Sequence, residues 1–391
     1  MNIFIFSLEF PPFAGGAGYY NYNLALGLAK IGHNVTVFTC SYPEKDEVLL
    51  VDEKLESKGI KIIRIKLPQK LKIWLFQAIC DLYKYLRKSY TKYDFILVIE
   101  YRAQLVYSFI FWLIKKKFAV TVHGTEVNTH FYNSDVKHIL LKRLIHKCFD
   151  KACKIIAVSN STANLIHRYN PEWSNKLRTV LHGIEISDFG KMNDSEKIKV
   201  RKELGFSPKD KIIVSISRII KEKGQDMLIR SLPLIIKKVP NVKLVIIGDG
   251  PYIENLRNLV EGLYVSGHVI FTGKLHRKDL AYWLKSSDIF ALISREGKRI
   301  EGFGLVYLEA NACGKAVIAG RTGGVPEAVE DGVSGLLVSP ADINDISSKI
   351  IKLLTDDRMR EELGKKGYER VIKYFTNIVM ANRTVNALLD S

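Results

Sequence analysis

Twice along the chain, short runs of β-branched and aromatic residues alternate with stretches of helical periodicity, and between the two series the pattern stops. The first series is "NIFIFS", "NVTVFTC", "KIIRIKL", "FILVIE", "FAVTVHG", "KIIAVS" and "RTVLHG". These runs are continuously apolar, as strands covered on both faces tend to be. Helical segments such as 17–30 and 137–153 fall between them, so the pattern predicts a parallel, doubly wound sheet. The polar stretch "IEISDFGKMNDSEKIKV" (184–200) carries no strand signal and reads as a hinge. After it come "KIIVSIS", "VKLVIIGDG", "VIFTGK", "IFALIS", "AVIAGR" and "GLLV", again with helices between.

A chain of 391 residues is too long for one ordinary core. The expectation is an α/β protein of two Rossmann-like domains, residues 1–186 and 187–372. A last helix at about 373–391 is expected to return to the first domain. The polar segment 43–58 reads as a surface loop.

Five cysteines at irregular spacing fit neither a disulfide framework nor a zinc site and point to a reducing, cytoplasmic setting. "NIFIFSLEF" after Met1 lacks the basic region and cleavage site of a signal peptide. The most apolar window, "LVYSFIFWLI" (105–114), is ten residues long and too short to span a bilayer.

The net charge of +18 implies an anionic partner. It is spread rather than gathered in a tail: Lys and Arg outnumber Asp and Glu by 26 to 16 in residues 1–190 and by 33 to 25 in the remainder. It thickens in two helical segments, 70–93 and 137–154, where basic residues interleave with an apolar stripe. Such helices either lie on anionic headgroups or pack their stripes inward with solvated lysines outside, and the residues leave both open. No nucleic-acid-binding module accompanies the charge, so nucleic acid is not the expected partner.

In doubly wound sheets ligands bind beyond the carboxyl ends of strands. "EFPPFAGGAGYY" places Gly15 and Gly16 at a strand-to-helix turn, where bare amides suit a phosphate and where close packing would also explain the glycines. The turn lacks GxGxxG and a Walker lysine, which argues against a nicotinamide-dependent dehydrogenase. "VTVHGTE" ends a buried strand in His123, either a structural or a catalytic histidine. "SISRIIKEKGQ" sets Arg218 and Lys223 around a strand-to-helix loop, where two cations can clamp a diphosphate. "VIIGDGP" turns at Gly248. In "EGFGLVYLE", Glu301 and Glu309 frame the amides of Phe303, Gly304 and Leu305 at a helix start, with no side chain at Gly302 or Gly304 to block an anion. The two carboxylates reach different places, one suited to a sugar and the other to a ribose.

"EGFGLVYLEA" resembles the Glu-x7-Glu signature of family 4 retaining glycosyltransferases, which have the GT-B architecture of two Rossmann-like domains facing across a cleft. The resemblance runs through "HGTE", "AVSNST", "LHGIE", "SRIIKEKG", "IGDGP" and "GGVPEAVEDGVSGLLV" in order. It implies a nucleotide-sugar donor and no metal or other cofactor. Carried over, Gly15 and Gly16 meet the donor phosphate, His123 the donor sugar, Arg218 and Lys223 the diphosphate. Glu301 takes sugar hydroxyls, Phe303, Gly304 and Leu305 offer amides, Glu309 binds the ribose, and the base lies near Gly248, Gly273, Lys274 and Leu275. The stretch 294–329 is similar to the subgroup of bacterial phosphatidylinositol mannosyltransferases, which implies GDP-mannose, a lipid-linked or glycan acceptor, and peripheral contact with the inner membrane face through the basic helices. His182 stands where the family commonly has Asn. A UDP-glucose or UDP-N-acetylglucosamine enzyme of polysaccharide assembly and a non-catalytic sugar-nucleotide sensor remain the alternatives. Acceptor contacts are expected near 41–58 and 126–136.

Overall fold

The computed structural model describes the chain except residues 13–14, 43–44, 69–70, 125–126, 128–135, 298–299 and 391, and except the side chains of 45, 71–72, 136–141 and 278. Thr125, Glu126 and most of the 126–136 acceptor segment therefore lie outside the described residues.

The chain forms two compact units, Met1–Glu185 with Thr376–Ser391, and Ile186–Phe375. The first holds β1 (Asn2–Phe6), α1 (Gly16–Lys30), β2 (Asn34–Cys40), α2 (Lys45–Glu56), β3 (Ile60–Ile65), α3 (Leu71–Ser89), β4 (Phe95–Ile99), α4 (Tyr101–Tyr107), β5 (Phe118–Val122), α5 (Val136–Lys151), β6 (Lys154–Ala157), α6 (Asn160–Tyr169) and β7 (Leu177–Thr179). All strand pairs are parallel, in the order β3-β2-β1-β4-β5-β6-β7. One face of the sheet packs on Ala78, Leu82 and Leu86 of α3, Val106 of α4 and Ile145 and Phe149 of α5. The other packs on Tyr20, Leu24 and Leu28 of α1 and Leu55 of α2. Strands covered on both faces need apolar residues at every position, which is why the runs read as continuous.

The second unit holds α7 (Asp194–Glu203), β8 (Lys211–Ile216), α8 (Gln225–Ile236), β9 (Val242–Ile247), α9 (Ile253–Gly262), β10 (Val269–Gly273), α10 (Arg277–Ser286), β11 (Ile289–Leu292), α11 (Leu305–Ala312), β12 (Ala316–Gly320), α12 (Val325–Ala328), β13 (Gly335–Val338), α13 (Ile343–Thr355) and α14 (Asp357–Tyr374). Its sheet is parallel too, in the order β10-β9-β8-β11-β12-β13. In each unit the strand order reverses once, between β1 and β4 and between β8 and β11. Those crevices are where open α/β sheets bind ligands.

The final helix, α15 (Asn377–Leu389), belongs to the first unit and packs on α1. Gly27 and Gly183 permit this approach: a Cβ on either would fall 2.1 and 2.3 Å from the carbonyl oxygens of Asn377 and Thr376. Glu185 fastens the joint, accepting from Lys30 Nζ at 2.5 Å and Asn377 Nδ2 at 2.8 Å.

Two sequence expectations are corrected. Segment 43–58 is not a loop: its residues 45–56 form α2, which buries Val48 and Leu55, seven positions and so two turns apart, while Leu49 and Leu50 stand exposed among its charged residues. The expected hinge 184–200 becomes helical from Asp194, started by a capping box in which Asn193 and Glu196 exchange hydrogen bonds. Arg201 of that helix reaches buried Asp288 at 2.8 Å, and Lys197 the same carboxylate at 3.3 Å, which ties α7 to the second sheet.

Leu82 and Leu86 of α3 and Ile145 and Phe149 of α5 face the core, whereas Ile73 and Phe76 of α3 stand 51% and 68% exposed. Trp74 and Leu75 of α3 pack against the core, while Lys84, Arg87 and Lys88 are exposed. Arg143, Lys147 and Lys151 form the outer face of α5. Among the described residues, no helix is long and apolar enough to cross a membrane.

Candidate active site

In the second unit the crevice between β8 and β11 gathers Arg218, Lys223, Ser294 and Glu301. Glu301 Oε2 accepts from Lys223 Nζ at 2.5 Å and from Ser294 Oγ at 3.0 Å. Burial alone would raise the Glu301 carboxyl. The charge and hydrogen bond of Lys223, the Ser294 hydroxyl and the charge of Arg218 outweigh it and hold the group below its ordinary range. The carboxylate is therefore ionised at neutral pH, an acceptor for hydroxyl groups.

The loop carrying the two cations is clamped. Gly224, with φ of 68°, ends the short 3-10 turn Lys221–Lys223 and opens α8, and its Cβ would lie 1.9 Å from the Ile293 carbonyl oxygen. Gln225 Nε2 binds Ser217 Oγ at 2.6 Å and the Arg218 carbonyl at 3.2 Å, while Arg295 forks onto Asp226 with both contacts at 3.0 Å. Neither α8 nor α11 has a side-chain cap at its N-terminus, and both begin after a left-handed glycine, Gly224 and Gly304. Two uncapped helix starts and two cations, one of them paired with Glu301, border one crevice, an arrangement suited to an anion. Phe303 is buried beside Phe375, with ring centroids 5.8 Å apart, so it contributes backbone to the crevice rather than its ring.

A second group forms at the ends of β9 and β10. The Gly248 amide donates to the Gly273 carbonyl at 2.9 Å, joining two of the turns expected to face a base. Lys274 and Leu275 follow, and α10 opens with Arg277, which pairs with Glu309 Oε1 at 2.8 Å and lies over the Phe189 ring at 5.3 Å. Glu309 is thus tied to the turn beside the base position, with Oε1 engaged by Arg277.

In the first unit, Gly15 precedes an α1 with no side-chain cap, and a Cβ on Gly16 would meet nothing within 4 Å. Close packing therefore does not explain Gly16. Residues 7–11 ahead of it are anchored: Asn21 Nδ2 binds Ser7 Oγ at 2.7 Å and the Glu9 carbonyl at 3.0 Å, and Arg64 binds the Pro11 carbonyl at 2.8 Å while chelating Asp52. One turn along α1, buried Tyr20 contacts His123 edge-on at 5.0 Å and His182 at 4.8 Å, and the two imidazoles are 5.7 Å apart. Burial lowers His123 to about 4, and burial with the neighbouring His123 lowers His182 further, so both rings are neutral at pH 7.

Several contributors went unread in the sequence. Glu100 caps α4 from the C-terminal end of β4, with φ of 72°, and accepts from the amides of Leu8 (3.1 Å), Arg102 (2.7 Å) and Ala103 (3.0 Å). Burial and the nearby Glu9 push its carboxyl up to about 8, against the pull of those amides. The readable signal was a lone acid closing the apolar run "FILVIE". Arg277 has no local signature, since its partner Glu309 lies in another element, and Ser294 meets Glu301 only through the fold of the connection between β11 and α11. Among the described residues, no three His, Cys, Asp or Glu group together as a metal site would require.

These two crevices fall within two known family models. Residues 14–188 match the model described as Glycosyltransferase Family 4, and residues 196–370 the one described as Glycosyl transferases group 1. The chain belongs to glycosyltransferase family 4. A GDP-mannose-dependent alpha-(1-6)-phosphatidylinositol monomannoside mannosyltransferase of Mycolicibacterium smegmatis is 39% identical to this glycosyltransferase over 47% of the chain and 49% of the relative. An uncharacterised glycosyltransferase of Methanocaldococcus jannaschii is 27% identical over 99% of the chain and 97% of its own. Among solved structures, HepE of Anabaena in complex with UDP-glucose superposes with a TM-score of 0.81 at 20% identity, covering 99% of both chains, a likeness of fold.

Proposed function

We propose that this glycosyltransferase moves a hexose, mannose from GDP-mannose, to a lipid-linked or glycan acceptor at the cytoplasmic membrane face, with retention of anomeric configuration and without a metal. The observation that carries the reading is the Arg218, Lys223 and Glu301 cluster at the uncapped starts of α8 and α11. When the bond from the anomeric carbon to the donor phosphate breaks, the diphosphate gains negative charge. Arg218, Lys223 and the helix-start amides supply a preorganised positive field for it. Glu301 holds sugar hydroxyls, and Glu309, through the oxygen not engaged by Arg277, holds a ribose hydroxyl. In the first unit, Gly16 leaves room for an anion at the start of α1, and neutral His123 can offer a hydrogen bond. The acceptor oxygen bonds to the anomeric carbon on the face the diphosphate leaves, and its proton passes to the donor phosphate oxygen.

The mannosyltransferase relative supports GDP-mannose as donor. Contact with the membrane is proposed for the basic surface of the first unit. The test is incubation of radiolabelled GDP-mannose with the protein and a lipid extract in the presence of EDTA, with the product's anomeric configuration read by NMR. An α-linked mannosyl product supports the proposal. Transfer from UDP-glucose or UDP-N-acetylglucosamine alone would keep the family and overturn the donor, and binding without turnover would overturn the enzyme reading.

A further inference from the structure

The sequence between α4 and β5, "SFIFWLIKKK", folds into a compact knuckle of turns. Ile110, Phe111 and Ile114 point into the core, while Phe109, Trp112 and Leu113 stand out of it, Trp112 and Leu113 58% and 60% exposed. Lys115, Lys116 and Lys117 follow directly, and Lys151, the last residue of α5, sits over the Trp112 ring at 5.9 Å. The exposed Arg87 and Lys88 end α3, so they lie toward the same edge of the first sheet, where β4, β5 and β6 begin. Two acids of this edge are engaged: Asp94 accepts the Asn2 amide at 2.7 Å, and Asp150 accepts the Trp173 indole at 2.7 Å and meets His146 at 3.0 Å.

We infer that this knuckle is a membrane anchor for an anionic lipid surface, with Phe109, Trp112 and Leu113 entering the headgroup and acyl boundary and Lys115, Lys116, Lys117 and Lys151 meeting the lipid phosphates. The inference rests on the membrane reading above and adds an apolar tip to it, since Leu82 and Leu86 of α3 and Ile145 and Phe149 of α5 are spent on the core. An apolar tip inside a basic collar is what an interface of that chemistry requires: an aromatic ring settles at headgroup depth, and each lysine adds attraction to anionic lipid. A nucleic acid would answer the lysines and leave exposed Leu113 without a role. The knuckle lies at the opposite edge of the sheet from the β1–α1 turn and His123, so altering it leaves donor binding intact.

The test is co-sedimentation of the full chain with phosphatidylcholine vesicles, with and without phosphatidylglycerol. Three variants are compared with the parent: Trp112→Ala/Leu113→Ala, Lys115→Glu/Lys117→Glu, and, on the outer face of α5, Arg143→Glu/Lys147→Glu. The parent is expected to bind only the anionic vesicles, each knuckle variant to bind at least about tenfold more weakly, and the α5 variant to lose less than about threefold. Unchanged melting and donor binding would show that the knuckle variants are folded. Knuckle variants that bind like the parent while the α5 variant does not would overturn the anchor and keep the membrane reading. No binding of the parent to anionic vesicles would overturn both. A change from dimer to monomer by light scattering in Trp112→Ala/Leu113→Ala would make the patch an interface between copies and overturn the lipid assignment.

Discussion

Lys223 Nζ and Glu301 Oε2 are 2.5 Å apart across 78 positions of sequence, brought together where the strand order of the second sheet reverses. On the proposed function, the pair puts a cation for the diphosphate and an acceptor for the sugar at one point. Lys223→Ala is expected to lower kcat/KM at least ~100-fold, since one preorganised donor is worth roughly 2.7–4 kcal/mol in the transition state. That change also leaves the Glu301 carboxylate buried without its partner. The double variant Lys223→Ala/Glu301→Gln separates the effects: melting recovers and turnover does not. A loss under about threefold in a folded Lys223→Ala protein would remove Lys223 from the mechanism.

Gly16 offers a cleaner contrast. A methyl group there meets nothing within 4 Å, and alanine favours the helix that starts at this position. Gly16→Ala should therefore melt at or slightly above the parent temperature. If a donor phosphate approaches that amide, the methyl blocks it, and kcat/KM falls by roughly tenfold or more. Full activity would return Gly16 to a purely structural role.

His123 fixes a pH dependence. Burial lowers its folded-state value to about 4, against 6.5 for an ordinary histidine. Below pH 6.5 the unfolded chain takes up a proton that the folded chain does not, so this group's stability is complete above 6.5 and is lost as pH falls toward 4. Between pH 7.5 and 5 the parent's first unit should lose about 1–2 kcal/mol more than His123→Gln, the lower figure allowing for partial exposure of the residue. Chemical denaturation at the two pH values measures the difference. Equal losses in parent and variant would mean the imidazole charges freely in the folded protein.

Glu309 and Arg277 test the ribose assignment. Arg277→Ala strands a buried carboxylate and should destabilise the second unit by about 3–5 kcal/mol. Glu309→Gln keeps a hydrogen-bonding oxygen toward Arg277 but weakens the bond offered to a hydroxyl. GDP binding by titration calorimetry should fall roughly tenfold, a charged hydrogen bond contributing about 1.5 kcal/mol. Analogues lacking the ribose hydroxyls should bind parent and variant alike. An equal loss for GDP and its deoxy analogues would assign the pair to the fold alone.

The strands were legible because burial on both faces leaves their sequence no room for alternation: "FILVI" and "AVIAG" became β4 and β12. Helix α2 was misread since the acids and lysines around "VLLV" drew the reading toward a polar loop, and the seven-residue spacing of Val48 and Leu55 went unused. The capping box at the start of α7 was written in "NDSE", but the polar segment around it drew the reading toward a hinge. Arg218, Lys223 and Glu301 stood out because they sit in strand-to-helix connections beside glycines, a local pattern visible in the sequence. Arg277 and Ser294 did not, for their roles come from pairing across 32 and 7 positions of folded chain. The positive φ of Glu100 is a tertiary property with no local cause in "VIEYR".

The most direct test of the central claim is titration calorimetry of the full chain with GDP-mannose in EDTA, repeated with Lys223→Ala. The account predicts saturable binding by the parent that weakens at least tenfold in the variant, since a charge-assisted bond to the diphosphate is lost. Equal affinity in parent and variant, or no heat with GDP-mannose where a uridine donor binds, would contradict it.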